Sequence, residues 1–244
     1  GYAEPDKVIV VGGHYDSIVY GTEPGAMIYA PGSDDNGSGT SATMELARIL
    51  FDIPLRKTVI FIPFSAEEVG LQGARYAAAE FVNNGTNVEV MFNFDMIGFI
   101  DDTDPVWDIN ITSGTITGFR DVMAAAAERL TPLVPAIGGS PGSSDHAAFS
   151  AQGFNHVFVI EGDFNTVGWH TNSDLTSRMN FNYMTEVVKT AAATIGHTAN
   201  AASATEITDV IDQGDGQALE VNWESNCVSE YSYKLIYGMT AGVF

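Results

Sequence analysis

Short, largely apolar runs alternate along this chain with longer segments whose apolar residues recur every three or four positions. The runs at residues 7–13 (KVIVVGG), 57–65 (KTVIFIPFS), 88–95 (VEVMFNFD) and 156–160 read as buried strands, and residues 106–112 as a further strand. Helical spacing predicts helices at 38–51, 71–81, 119–130 and 182–197, with a short one at 145–151. This alternation predicts an α/β fold: a single globular domain whose largely parallel central sheet is flanked by helices. Polar residues are costly inside such a sheet, but at the carboxyl ends of its strands they converge on one cleft.

The last forty residues have a different texture. Residues 199–205 are small and polar, like a linker. Residues 218–223 then alternate with period two, as do Tyr231, Tyr233 and Leu235, with Gly238 following. The expected division is a domain over 1–203 and a β-rich tail over 204–244.

Charge narrows the functional classes. Lys plus Arg number 10 against 31 Asp plus Glu, a net charge of −21. Nucleic acid and anionic membrane surfaces are excluded as partners, because both need clustered cations. No apolar run approaches the ~20 residues that span a bilayer. No signal peptide is visible, so the chain is expected to be a mature form or a cytosolic protein. The single cysteine, Cys227, permits neither an intrachain disulfide nor a thiolate zinc cage. A metal site here would have to use histidines and carboxylates.

Five places offer them. His14 follows the first strand, with Asp16 two residues on, a carboxylate–histidine pair suited to fixing an imidazole tautomer. Asp34-Asp35-Asn36-Gly37-Ser38-Gly39 is an acidic, glycine-rich loop before a helix. Asp34, Asn36, Ser38, Gly39 and Glu45 also fall at positions 1, 3, 5, 6 and 12 of a calcium-binding EF-hand loop, but Ala30-Pro31-Gly32 precedes them rather than a helix. Glu67-Glu68 ends the second strand. Adjacent carboxylates repel unless a cation or a shared proton offsets them, although the pair would also suit the start of a helix. Asp95 ends the third strand, and His170 lies in a loop after the strand at 156–160. Together they read His, Asp, Glu, Asp, His, each at or beyond a strand end.

HYDS, PGSDDNGSG, SAEEVGLQGAR, FDMIG, SSDHAAF and WHTNSD, in that order over roughly residues 5–200, resemble the bacterial leucyl aminopeptidase family of co-catalytic zinc metallopeptidases. That family also includes glutamate carboxypeptidases and glutaminyl-cyclase relatives. The resemblance implies a zinc-exopeptidase-like fold and two Zn2+ per chain. His14 and Asp95 would bind one ion, Glu68 and His170 the other, and Asp35 would bridge them. Glu67 would be the general base and Asp16 would orient His14. Ser144-Asp145-His146 matches a family motif and is expected to play a supporting part, since a nucleophilic serine would need a GxSxG elbow. Some relatives place a tyrosine beside the last histidine to assist the oxyanion. Trp169 stands there in this chain, which leaves the donor unassigned.

The resemblance further implies an aminopeptidase acting on peptides with a free N-terminus. Met96, Ile97, Phe158, Ile160, Phe164 and Trp169 are candidates for an apolar side-chain pocket. The alternatives are a carboxypeptidase or other amide hydrolase on the same scaffold, or a non-catalytic metal-binding relative. The absence of an arginine cluster near the motifs favours the aminopeptidase. The tail (LEVNWES…YSYKLIYGMTAGVF) resembles the first strands of a fibronectin type III module, which needs about 100 residues, so the expectation is a truncated module, with a strand pair docked on the main domain as the alternative. A secreted, extracellular enzyme is expected, or a periplasmic one, and a monomer.

Overall fold

The computed structural model describes residues 1–20, 29–101, 103–104, 106–138, 143–202, 206–212 and 219–224. They fall into two units, Gly1–Asn200 and Ala201–Phe244. The larger unit carries a six-stranded sheet in the order β2-β1-β3-β6-β4-β5. Its strands are β1 (Glu4–His14), β2 (Lys57–Phe64), β3 (Asn87–Phe94), β4 (Asp108–Ser113), β5 (Val134–Ile137) and β6 (His156–Glu161). Among the described residues four α-helices lie between them, α1 (Gly37–Leu50), α2 (Gln72–Asn83), α3 (Gly118–Leu130) and α4 (His146–Ala151), and α5 (Phe181–Asn200) follows β6.

The two periodicities of the sequence become two cores. Ile9 and Val11 of β1 face one side, with Phe92 and Phe94 of β3, and pack against Leu46 of α1, Met123 of α3 and Val187 of α5. Val8 and Val10 face the other side, with Met91, and meet Leu71, Ala74 and Ala78 around α2 and Phe149 of α4. Successive side chains of a strand point to opposite faces, so a strand covered by helices on both must be apolar throughout. That explains the largely apolar runs. Burial of each large aliphatic side chain contributes about 1.5–3 kcal/mol.

β2, β1, β3 and β6 are mutually parallel neighbours. Their carboxyl ends therefore lie along one edge of the sheet, and this placement builds the site. β4 runs antiparallel to β6, and β5 runs parallel to β4. The sheet is thus mixed but mostly parallel. β5 was not expected from the sequence. It has four residues including Pro135 and is too short to show a period.

The calcium reading of residues 34–45 fails on the fold. α1 begins at Gly37, and Asn36 caps it by accepting the Gly39 amide at 2.8 Å. Ser38 and Gly39, needed as loop positions, are already helical.

In the smaller unit, β7 (Glu206–Asp212) pairs antiparallel with β8 (Leu219–Glu224). The alternation at Tyr231, Tyr233, Leu235 and Gly238 lies outside the described residues. No helix among the described residues is long and apolar enough to cross a membrane.

Candidate metal centre and active site

The parallel register brings the sequence-predicted residues to one place. His14 closes β1 directly opposite Phe64, the last residue of β2. Three residues beyond Phe64 come Glu67 and Glu68, and Asp95 immediately follows β3. The loop after β6 returns His170, and the turn into α1 supplies Asp35.

Asp35 sits between the two histidines. Its Oδ1 lies 3.3 Å from His14 Nε2 and its Oδ2 lies 3.1 Å from His170 Nε2. His14 Nε2 is also 3.4 Å from Asp95 Oδ1, and His170 Nε2 is 2.9 Å from Glu68 Oε2. Ligands held ~2.0–2.1 Å from one tetrahedral ion lie roughly 3.3 Å from each other, so both clusters have about the spacing of a zinc shell. The two groups, His14–Asp35–Asp95 and Asp35–Glu68–His170, share one carboxylate.

The surroundings fix these side chains. Asp16 acts in two ways. Its backbone carbonyl accepts from His14 Nδ1 at 3.0 Å, whereas its carboxylate is 3.7 Å away. The carboxylate instead accepts the backbone amides of Glu67 at 3.0 Å and Glu68 at 3.2 Å. The expected carboxylate–histidine pair is therefore a carbonyl–histidine pair, and the Asp16 side chain anchors the two glutamates. Asp174 does the same for the acidic loop, accepting the Asp34 amide at 3.0 Å and the Asp35 amide at 2.9 Å. Thr40 Oγ1 donates to the His14 carbonyl at 2.6 Å. Gly13 and Gly39 both press on the Phe94 carbonyl, where a Cβ would collide.

Four non-glycine residues with positive φ lie at the site: Ala66 (57°) before Glu67, Leu71 (59°) on the cleft wall, Met96 (52°) after Asp95, and His170 itself (52°). Such backbone costs of order 1–3 kcal/mol and persists only where its surroundings dictate it. Hydrogen bonds hold that backbone: the Ala66 carbonyl accepts the Gln72 amide at 3.0 Å, the Met96 amide donates to Asn36 Oδ1 at 3.3 Å, and the His170 carbonyl accepts the Tyr20 amide at 3.0 Å.

The electrostatics point to a cation. Burial alone would lower the His14 pKa, but the Asp95 charge and the adjoining Asp35 carboxylate push it up to about 12. Burial likewise opposes charge on His170, and Asp35 and Glu68 raise it to about 9. Burial would raise the Asp35 carboxyl, yet its bonds to the two histidines hold it below its ordinary value. Positive charge is thus strongly favoured at both points where imidazole and carboxylate meet, and a dication supplies it there directly. Glu68 Oε1 and Asp95 Oδ1 are buried without a hydrogen-bond partner among the described residues, as coordinating oxygens would be. The donor set, imidazoles with carboxylates and no thiolate, suits zinc.

The family model of peptidase family M28 matches residues 1–195. The chain belongs to this family. It is similar to "Leucine aminopeptidase 1" of Uncinocarpus reesii, with 33% identity over 199 residues that cover 75% of this chain and 49% of that protein. Among solved structures it resembles the LapA aminopeptidase of Legionella pneumophila (27% identity, TM-score 0.68, 82% of this chain and 53% of that one). It also resembles a zinc aminopeptidase from Bacillus subtilis (30% identity, TM-score 0.64, 81% and 47%). The chain spans about half the length of the curated relatives it matches. Where the motifs suggested bacterial leucyl aminopeptidases, the leucine aminopeptidases similar in sequence are fungal and the bacterial proteins enter through structure.

In this M28 chain a cleft of about 540 Å³ contains all five predicted ligands and Glu67. Met96, Phe158, Ile160, Phe164 and Trp169 line it, as expected, whereas Ile97 is wholly buried in the core. A larger groove of about 720 Å³ shares Phe164 but holds none of the ligands, so the chemistry belongs to the smaller one. Burial raises Glu67 to about 8, helped by the Asp95, Glu68 and Asp145 charges and opposed by His14. Ser144 accepts a hydrogen bond from Asn93 at 2.8 Å and His146 stacks on Phe158, so the Ser-Asp-His motif packs beneath the cleft.

Tyr20 and Arg75 also line the cleft, and motif reading assigned neither to it. Tyr20 meets His170 edge-on, with ring centroids 4.3 Å apart, and its amide donates to the His170 carbonyl at 3.0 Å. Its separation from His170 in sequence left no local signal.

Proposed function

We propose that this protein is a di-zinc aminopeptidase that removes an apolar N-terminal residue from peptides. The carrying observation is Asp35, whose two carboxylate oxygens each face a different histidine within one cleft. His14 and Asp95 would hold one ion, Glu68 and His170 the other, and Asp35 both. A pair of zinc ions there would lower the pKa of a shared water towards ~7 and polarise the scissile carbonyl.

The chain's own residues supply the remaining steps. Glu67 takes the proton of the attacking water and returns it to the leaving nitrogen. Asp16 holds Glu67 and Glu68 in register through their amides. The free amine of the substrate finds a carboxylate-rich cleft. Its side chain lies against Met96, Ile160 and Phe164. Phe158, although it also lines the cleft, is only 3% exposed and serves mainly as packing for His146.

Tyr20 is the candidate oxyanion donor that position 169 lacks. Burial and the charges of Glu68, Glu67 and Asp35 raise its pKa, so the phenol keeps its proton and can donate. Tyr20→Phe is expected to lower kcat by about tenfold or more with little change in KM, as loss of a donor used only in the transition state would. An unchanged kcat would remove Tyr20 from the mechanism.

The reading is tested by comparing Leu-p-nitroanilide with its N-acetylated form on the purified chain while quantifying bound metal. Cleavage of the free-amine substrate alone, with about two zinc ions per chain, is the expected result. Two ions without cleavage of either substrate would move the function to a carboxypeptidase, a cyclase or a binding role. Absence of any bound transition metal would sink the proposal. Secretion and a monomeric state complete it, the first checked by locating the protein in culture medium and the second by light scattering.

A further inference from the structure

Among the described residues that line the carboxylate-rich cleft, one is an arginine or lysine. Arg75 lines it beside Glu67, Glu68 and Leu71. Lys7, Arg56 and Lys57, around the sheet, are tied into ion pairs with Glu4 and Glu89. Arg75 makes no ion pair among the described residues, although two glutamates share its wall. The residue is exposed and lines the cleft rather than being consumed within the fold.

Its place on the chain says what it would meet. The carbonyl of Glu67 accepts the amides of Gly70 at 2.9 Å and Leu71 at 2.8 Å, which turns the chain directly from the glutamates into α2. Arg75 lies one helical turn on, its own amide donating to the Leu71 carbonyl at 2.8 Å. On the aminopeptidase reading, Glu67 delivers its proton to the leaving nitrogen. The leaving residue therefore lies along this same wall. In a dipeptide its carboxylate is one carbon removed from that nitrogen.

A carboxylate entering a cleft lined by Asp35, Glu67, Glu68 and Asp95, on a chain of net charge −21, meets repulsion unless a local cation offsets it. Guanidinium is the side chain whose fork matches a carboxylate through two parallel hydrogen bonds. We infer that Arg75 binds the carboxylate of the leaving residue and thereby favours dipeptides, whose leaving group is a free amino acid, over amidated or longer peptides. This inference rests on the aminopeptidase reading.

The test compares Leu-Leu with Leu-Leu-amide, two substrates that differ only in that carboxylate, on the zinc-loaded chain and its Arg75→Gln and Arg75→Lys variants. The acid-to-amide ratio of kcat/KM is expected to fall about tenfold in Arg75→Gln, chiefly through KM for the acid, the size of one lost charged hydrogen bond. Arg75→Lys, which keeps the charge but not the fork, recovers part of it. A second readout needs no turnover. In a Glu67→Gln background, calorimetric titration with Leu-Leu should weaken on adding Arg75→Gln, and titration with the amide should not. A ratio that stays the same in Arg75→Gln, while Leu-p-nitroanilide is still cleaved, overturns the role of Arg75 alone. Failure of the parent chain to cleave any free-amine substrate overturns the aminopeptidase reading and this inference with it.

Discussion

Replacing Glu67 by Gln is expected to lower kcat about a thousandfold or more while the bound metal stays at the level of the parent chain. A positioned acid–base group contributes typically 10²–10⁴-fold, and a glutamine of the same shape cannot accept the proton. The surroundings should tolerate the change. Glu67 is anchored through its backbone amide by Asp16, a contact that survives the substitution. The neighbouring Glu68 keeps its own bond to His170. Metal content is the decisive control, because Glu67 lies close enough to His14 and Glu68 to be a ligand itself. Loss of an ion in Glu67→Gln would reassign it as a ligand, and a kcat within tenfold of the parent would remove it as the base.

Asp35→Ala should have the widest effect of any single substitution in the cleft. Asp35 alone serves both clusters, one oxygen to each histidine. Zinc content is expected to fall from about two to below one per chain, and turnover below detection, since a catalytic zinc needs about three protein ligands and each ion would keep two. Asp95→Ala, which touches only the His14 cluster, should spare the other ion. Metal analysis of the two variants side by side checks this. Two ions retained in Asp35→Ala would rule out the bridging role. Thermal melts of the metal-free forms guard against a folding defect, because Asp35 also offsets two buried imidazoles.

Much of this arrangement was legible in the sequence, and the parts that were not share a cause. The runs at 7–13, 57–65 and 88–95 were recognisable as strands because apolar residues packed on both faces of the sheet dominate them, with few polar positions such as Glu89 and Asn93. Helix periods were equally plain, and Gly37–Leu50 and Gly118–Leu130 fall within a residue of expectation. β5 escaped because four residues carry no period. The antiparallel direction of β4 escaped because a buried strand reads the same either way. Asp16 was legible as a partner of His14, but which of its atoms does what was not. Its carbonyl holds the imidazole while its carboxylate spans to residues 67 and 68.

By itself the sequence determined most of the element types, the α/β class, the exclusion of thiolate ligation and the six residues that meet in the cleft with Asp16 beside them. Those follow from local periodicity and from residue chemistry that only a few motifs combine. The tertiary structure alone decided that Asp35 divides its oxygens between His14 and His170, that Asp174 holds the Asp35 loop, and that Tyr20 and Arg75 stand in the same cleft. These are contacts between segments far apart in the chain. Four parallel strands ending along one edge of the sheet create them, and no local pattern of hydrophobic and polar positions encodes which distant side chains that edge will bring together.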